Sequence, residues 1–317
     1  MGNLAQFGTC AVWDVRSSEL TIVPAHQTIP EMLPLRSAWH SVGTVSPRRL
    51  VDSRETLHHA AQLLALAGAS FIPEQSDDSH TSMRWMAPLG ALATQPIAGR
   101  KRFRFALRVA DLTLLVIDEE SQQTRDRFTL AGARRASALA WIAERASEAG
   151  LDASTLRTAM HYSITPHPTD SGAVFQLPGD DSLGELARWY ADANLLLEER
   201  ASSMSGAGPV RCWPHHFDIA TLITLPSGTR ITTIGVGLSP GDASYPEPYF
   251  YIAPYPAPAS TPHALSVGAW HTSEWWGAVL VGTEIVERTQ GDEQAGIVRR
   301  FMLEAIDRLL ALPNQEG

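Results

Sequence analysis

Apolar side chains recur every three or four residues in four segments, which is the spacing of amphipathic helices. The first predicted helix begins near Ser53, where Asp52 or Ser53 itself caps it, and it ends at Gly68. The other three helices are predicted over residues 131–149, 183–204 and 294–312. Gly150 directly follows the first of these three, at the position where glycine commonly ends a helix.

Short apolar runs between these helices predict strands. In order along the chain they cover residues 83–85, 89–97, 102–109, 112–118, 217–225, 229–237 and 249–253. Pro226, Ser227 and Gly228 predict a hairpin turn between two strands of the second half. Because residues 217–225 are apolar at nearly every position, we expect an interior strand that is covered on both faces. The two strands that follow should continue from it as an antiparallel sheet.

The order helix, strands, helix occurs twice along the chain. This order favours an α+β fold, mainly antiparallel sheet flanked by helices, over a βαβ fold. We divide the chain into an irregular arm (residues 1–50), a first half (51–178) and a second half (179–317). An offset of 127 residues aligns Arg84 with Arg211 and Ala93-Thr94 with Ala220-Thr221, which leaves open whether the halves are a duplication.

Composition narrows the class of protein. The chain has 317 residues, 44% of them hydrophobic and 19% charged, which is enough to bury a sizeable core. Its net charge of -9 argues against a nucleic-acid partner. Lys101 is the single lysine, and arginine with abundant alanine indicates a bacterial genome rich in GC.

The cysteines and the apolar runs bear on localisation. Cys10 and Cys212 lie too far apart in sequence to suggest a disulfide framework or a zinc motif. The first residues lack the basic and apolar regions of a signal peptide. No apolar run approaches the roughly 20 residues of a membrane helix. We therefore expect a cytoplasmic protein with no membrane partner.

The densest chemistry lies in residues 210–218, V-R-C-W-P-H-H-F-D. On a strand, His216 and Asp218 would point to the same face. Together with a distant third ligand, His271 or Glu247, they match the ligand sets that bind iron or zinc. The alternative is structural, in that Asp218 accepts a hydrogen bond from His216 or Arg211 at the start of a strand.

The neighbouring side chains suggest catalytic and binding roles. His215 is the expected proton carrier, since its usual pKa suits acid–base work, and Arg211 would orient an anionic group. The aromatic tract over residues 245–251 is expected either to line a pocket or to form a core sheet whose tyrosine hydroxyls find ordinary partners. The expected binding residues are Trp213, Glu247, Tyr249, Tyr251 and Trp270.

Residues 237–241 match the G-x-S-x-G pattern of a nucleophile elbow. An elbow needs a helix after the serine, and Pro240 and Pro246 forbid one here. We therefore expect Ser239 to lie in a loop without a nucleophilic role.

Three pieces of the second half resemble a family of bacterial proteins. They are Phe217-Asp218-Ile219-Ala220, Glu247-Pro248-Tyr249-Phe250-Tyr251, and a Pro-rich stretch before the last helix. In this order they resemble domain-of-unknown-function family 5996, for which no activity is established. That family carries a small residue at the position of His216, so the resemblance shifts weight toward Asp218 and Glu247 as site residues.

Three functions remain open from the sequence, the third being a purely structural protein that assembles through its tryptophan surface. The first is a metal-dependent enzyme, with iron or zinc as cofactor, acting on a small molecule at the Arg211–Asp218 segment. The second is a non-catalytic module that binds a small anionic or aromatic ligand in an aromatic pocket. The enzyme hypothesis expects Glu247 or His271 within about 6 Å of His216 or Asp218, close enough to share a metal.

Overall fold

The described part of the chain combines one antiparallel sheet with five α-helices, the α+β fold predicted from the order of elements. The computed structural model describes residues 39–227, 229 and 231–312. The helices are α1 (Val51–Phe71), α2 (Arg135–Glu148), α3 (Ser182–Ser203), α4 (Gly282–Arg288) and α5 (Asp292–Leu310). The strands of the first half are β1 (Met83–Met86), β2 (Ala91–Thr94), β3 (Ile97–Ala98), β4 (Arg102–Arg108), β5 (Thr113–Asp118) and β6 (Thr124–Thr129). Those of the second half are β7 (Arg211–Cys212), β8 (Ile219–Thr224), β9 (Thr233–Ser239), β10 (Tyr249–Tyr255), β11 (Ala269–His271) and β12 (Gly277–Val281). None of the helices in the described residues is long and apolar enough to cross a membrane.

All twelve strands belong to one open sheet. Their order is β11-β12-β10-β9-β8-β7-β1-β2-β4-β5-β6, and β3 pairs with β4. The halves meet where Met83 of β1 lies opposite Cys212 of β7. From this junction each half continues outward strand by strand, so both halves contribute to one sheet.

The predicted antiparallel succession of β8, β9 and β10 is confirmed. Ile219 lies opposite Leu238, so the start of β8 is beside the end of β9. Tyr249 lies opposite Ser239, so β10 begins at that same end. The loop that joins β9 and β10 contains no helix, in agreement with the rejection of a nucleophile elbow at Ser239.

The helices cover one face of the sheet, and side chains alternate between the two faces. Strand residues on the helix side belong to the main core together with the helices, as Trp85, Phe105, Val236 and Phe250 illustrate. The other side, which we call the open face, carries Arg84, Ala220, Leu222, Gly237 and Tyr251. Leu222 is 53% exposed there, so the expectation that β8 is covered on both faces is wrong. An apolar run alone does not reveal whether a second layer of helices exists.

Helix α1 continues past the glycine at which it was expected to end. A Cβ atom on Gly68 would lie 2.7 Å from the carbonyl oxygen of His80. The glycine therefore permits the close approach of the 79–81 turn to the helix, and the helix ends only at Phe71. Gly68 thus serves close packing inside the helix. Sequence alone does not distinguish such a glycine from one that ends a helix.

Other elements differ from the sequence prediction in ways that have local causes. The expected strand over residues 89–97 is divided into β2 and β3, and it starts only after Gly90, whose φ of +56° turns the chain. The sequence did not predict β6, β11, β12 or α4. Residues 1–38 of the expected arm and Gly228 of the expected hairpin turn lie outside the described residues.

Candidate functional site

A tight turn over residues 213–218 connects β7 to β8. The amide of Trp213 donates to the carbonyl of Asp218 at 2.9 Å, and the amide of Phe217 donates to the carbonyl of Trp213 at 2.7 Å. Phe217 has a left-handed backbone, with φ at +61°, and its ring is buried in the core. The expectation that His216 and Asp218 share a strand face is therefore wrong, because both precede β8.

Helix α1 holds this turn through a buried polar network. Nε2 of His58 and Nε2 of Gln62 lie 2.8 and 2.7 Å from the Pro214 carbonyl oxygen, which accepts from both. The hydroxyl of Tyr162 donates to Oε1 of Gln62 at 2.8 Å. Burial lowers the pKa of His58 to about 4, so its ring is neutral at pH 7. The turn is thus fixed by donors whose charge does not change near neutral pH.

Asp218 is paired with a tyrosine. The hydroxyl of Tyr251 in β10 donates to the Asp218 carboxylate. The Tyr251 ring lies across Gly237 of β9, where a Cβ atom would come within 2.6 Å of the hydroxyl oxygen. Burial raises the pKa of Asp218 and also that of Tyr251. The carboxylate partner is neither the imidazole nor the guanidinium that the sequence suggested.

Two more tyrosines on the same side are also paired with titratable groups. The hydroxyl of Tyr249 donates to Oδ2 of Asp242 at 2.5 Å. The hydroxyl of Tyr245 lies 2.9 Å from Nδ1 of His271, within hydrogen-bond distance. Neighbouring rings are close, with centroid separations of 5.1 Å for Tyr245 and Tyr249 and 6.3 Å for Tyr249 and Tyr251. The three tyrosines form a continuous aromatic surface, which we call the tyrosine group.

The expected metal ligands have other partners. Oε2 of Glu247 accepts from the Thr283 amide at 2.6 Å and Oε1 from Arg48 at 3.4 Å, so Glu247 fixes the start of α4. His271 contacts Tyr245, and its Nε2 lies 3.2 Å from the Ser273 hydroxyl. Among the described residues, no group of three or more His, Cys, Asp or Glu side chains is arranged to hold a metal ion. The metal centre remains a prediction, and these residues do not fit it.

The two histidines of the turn are exposed neighbours. Their ring centroids are 4.3 Å apart, so the two imidazoles lie side by side. The ring of His215 also lies 6.4 Å from that of Trp213 and 5.8 Å from that of Tyr162. Partial burial is the main cause that lowers the pKa of His215, and the charge of the nearby His216 lowers it further. His215 is thus neutral at pH 7 and accessible.

Arg211 and Trp270 lie on opposite faces of the sheet, so they do not line one cleft. Nη1 of Arg211 donates to the carbonyl of Ser79 and to the hydroxyl of Ser82, both at 3.2 Å. Trp270 lies opposite buried Ala278 in the sheet, which places its side chain on the helix side. Trp270 and Tyr251 are therefore on opposite faces and do not line one pocket.

One row of residues crosses the open face at the junction of the halves. The register places Arg211 opposite Ala220, Ala220 opposite Gly237, and Gly237 opposite Tyr251. Continuing the pairing of Met83 with Cys212 by one residue places Arg84 opposite Arg211. Arg84 was not among the predicted site residues, although the 127-residue offset had aligned it with Arg211.

Comparisons of the chain with models of protein families, with curated proteins and with solved structures found no match. The resemblance to family 5996 therefore rests on the three short segments and stays a prediction. Any functional conclusion has to come from the geometry of the chain itself.

The pairing of Asp218 with Tyr251 makes a testable prediction about stability. We expect Asp218→Ala to lower the free energy of unfolding by about 1–2 kcal/mol, because it leaves the Tyr251 hydroxyl without its acceptor. Urea denaturation of Asp218→Ala, Tyr251→Phe and the double variant measures the coupling. The double variant should be less destabilised than the sum of the single variants. Strict additivity would show that the two groups do not interact.

Proposed function

We propose that the open face of the sheet binds a small molecule that carries an apolar or aromatic body and an anionic group, without catalysis. The observation that carries this proposal is the row in which Arg211, Ala220, Gly237 and Tyr251 lie side by side on that face. It combines an apolar surface with a cation, which is the composition of many ligand sites.

The apolar part of the proposed site is built on small residues. Ala220 and Gly237 form its floor, and the Tyr251 ring lies over Gly237. Leu222, two residues along β8 on the same face, is 53% exposed. An exposed leucine beside an aromatic ring offers a surface that an apolar ligand body would cover.

The cationic part is Arg211. Its Nη1 is held by Ser79 and Ser82, which fixes the position of the guanidinium. Adjacent strands lie about 4.8 Å apart, so the Arg211 and Gly237 backbones are separated by about 10 Å. This spacing suits a molecule of the size of a substituted benzoate.

Binding is favoured over catalysis because the carboxylate, the hydroxyl and the thiol nearby are hydrogen-bonded or buried. Asp218 accepts from Tyr251, and the Ser239 hydroxyl oxygen accepts from the Gly241 amide at 3.1 Å. The Cys212 thiol is fully buried on the helix side, and burial raises its pKa well above the usual value. Activated nucleophiles instead have a base within reach or a lowered pKa.

Titration with benzoate and its uncharged isostere benzamide, followed by saturation-transfer NMR and calorimetry, tests the proposal. We expect benzoate to bind more tightly than benzamide, and Arg211→Gln to remove that preference. Arg300→Gln, an exposed arginine on α5, is the matched control and should leave binding unchanged. The site proposal fails if benzoate does not bind or binds Arg211→Gln as tightly as the parent.

Elemental analysis of the purified protein separates this function from the metal-dependent enzyme. Stoichiometric iron or zinc that disappears in the His216→Ala/Asp218→Ala variant would overturn the binding module. A metal-free protein that binds benzoate would support it.

A further inference from the structure

The open face concentrates positive charge at the junction of the two halves. Arg84 of β1 and Arg211 of β7 lie opposite each other, and both side chains belong to the open face. Like charges directly opposite in an antiparallel pair destabilise the sheet. Arg84 is exposed, so an anion from solution can reach this pair of arginines.

The nearby carboxylates do not neutralise this charge. Glu119 accepts from Nε and Nη2 of the buried Arg104, whose Nη1 donates to the Thr94 carbonyl at 2.6 Å. The pKa of Glu119 is lowered first by the hydrogen bonds from Arg104. The charges of Arg84 and Arg102 lower it further. The Glu119 carboxylate is thus already engaged in a bidentate contact with Arg104.

The carboxylate of Asp77 feels the charge of Arg211 but forms no salt bridge with it. Asp77 is exposed. Hydrogen bonds donated by Ser79 are the main cause that lowers the pKa of Asp77, and the charge of Arg211 contributes least. Arg84 and Arg211 together bring two positive charges to this place. Within the described residues, neither Arg84 nor Arg211 forms a salt bridge, so both remain available to a ligand.

A neutral donor completes the arrangement. The side-chain amide of Gln95, at the end of β2, donates to the Ser82 hydroxyl at 3.3 Å. The same hydroxyl accepts from Arg211 at 3.2 Å. Gln95 and Arg211 therefore meet at Ser82, in the row next to that of Arg84.

We propose that the anionic group held on the open face is a doubly charged phosphate, bound between Arg84 and Arg211 with the Gln95 amide beside it. This inference rests on the proposed function and names its ligand class as a phosphomonoester with an apolar or aromatic body. A doubly charged phosphate matches the two guanidinium charges of Arg84 and Arg211, and its three oxygens accept from several donors at once.

Phenyl phosphate and benzoate, titrated by calorimetry at pH 7.5, test the proposal. We expect phenyl phosphate to bind at least tenfold more tightly than benzoate. Arg84→Gln should weaken phenyl phosphate at least tenfold and benzoate less than threefold, because Arg211 still holds a single charge. Lys101→Gln, at an exposed cation directly before β4, is the control and should change neither affinity.

The pH dependence provides a second readout that does not depend on a variant. Phenyl phosphate should bind more weakly below pH 6, where a phosphate loses its second charge, whereas benzoate should not change between pH 5.5 and 7.5. Equal affinities for both ligands, or an Arg84→Gln variant with the parent's phosphate affinity, would overturn the phosphate site and leave the benzoate site standing. If the parent protein bound neither phenyl phosphate nor benzoate, the proposed function would be wrong as well.

Discussion

Replacement of Phe217 by alanine is expected to lower the free energy of unfolding by about 3–5 kcal/mol, the range for truncated core aromatics. The Phe217 side chain is 1% exposed. Its ring stacks on His58 at a centroid distance of 4.7 Å and contacts Tyr190 at 5.4 Å. The Tyr190 hydroxyl also donates to the Phe217 carbonyl at 2.6 Å. Urea denaturation of the variant measures the loss.

Two further substitutions separate the ring from the backbone. Phe217→Gly removes the same ring but adopts the left-handed backbone without strain, so it should be at least as stable as Phe217→Ala. At an ordinary backbone conformation glycine would be the less stable of the two. His216→Ala, at the exposed neighbouring position, should cost less than about 0.5 kcal/mol. A loss below 1 kcal/mol for Phe217→Ala would show that the ring does not anchor the turn.

The elements with strong periodicity could be predicted from the sequence. Helices α2, α3 and α5 and strands β8, β9 and β10 were located within a few residues of their observed bounds. Their antiparallel order followed from short connections, because strands joined by a short turn usually pair. By contrast, β6 carries charged residues at successive positions and shows no alternation that would predict a strand.

The site was less predictable because its contacts are made between distant parts of the chain. The segment 210–218 was singled out for its chemistry, and Tyr251 was expected to contribute. The partnership of Asp218 with Tyr251 depends on the glycine at position 237 between them, which no local pattern reveals. Arg84 reaches the site only through the junction of β1 with β7, a pairing between residues 129 apart in sequence.

Glu247 illustrates why residue type alone misleads. A carboxylate in an aromatic tract suggested a ligand-binding role, yet its oxygens satisfy the first turn of α4. Carboxylates at helix N-termini stabilise the unpaired amides there. Without knowledge of α4, which the sequence did not predict, this structural role could not be recognised.

Asp192→Asn is expected to remove a pH dependence of stability. Asp192 in α3 is fully buried, accepts from the His40 amide at 2.9 Å, and its Oδ2 has no hydrogen-bond partner among the described residues. Burial raises its pKa to about 7, although His40 and Arg188 act in the opposite direction. In the unfolded chain an aspartate has a pKa of about 3.9.

The sign of the effect follows from these two pKa values. Because the folded value is the higher one, the protonated carboxyl is favoured in the fold. Its contribution to stability is fully present below about pH 4 and is lost as the pH rises through 7. Between pH 5 and pH 8.5 the loss amounts to about 2–3 kcal/mol, since each pKa unit corresponds to about 1.4 kcal/mol.

The measurement is urea denaturation of the parent and of Asp192→Asn at pH 5 and pH 8.5. Asparagine keeps an acceptor for the His40 amide but has no charge to bury. The free energy of unfolding of the variant should therefore rise relative to that of the parent as the pH rises. Buried His58 changes stability in the opposite direction below pH 6.5, but it is common to both proteins and cancels in the difference. Asp152→Asn is the control, because hydrogen bonds from Ser154 lower the pKa of that exposed carboxyl and keep it ionised throughout this range. If Asp192→Asn and the parent lose the same stability between the two pH values, Asp192 is ionised in the folded protein at pH 5 and the argument from burial is wrong.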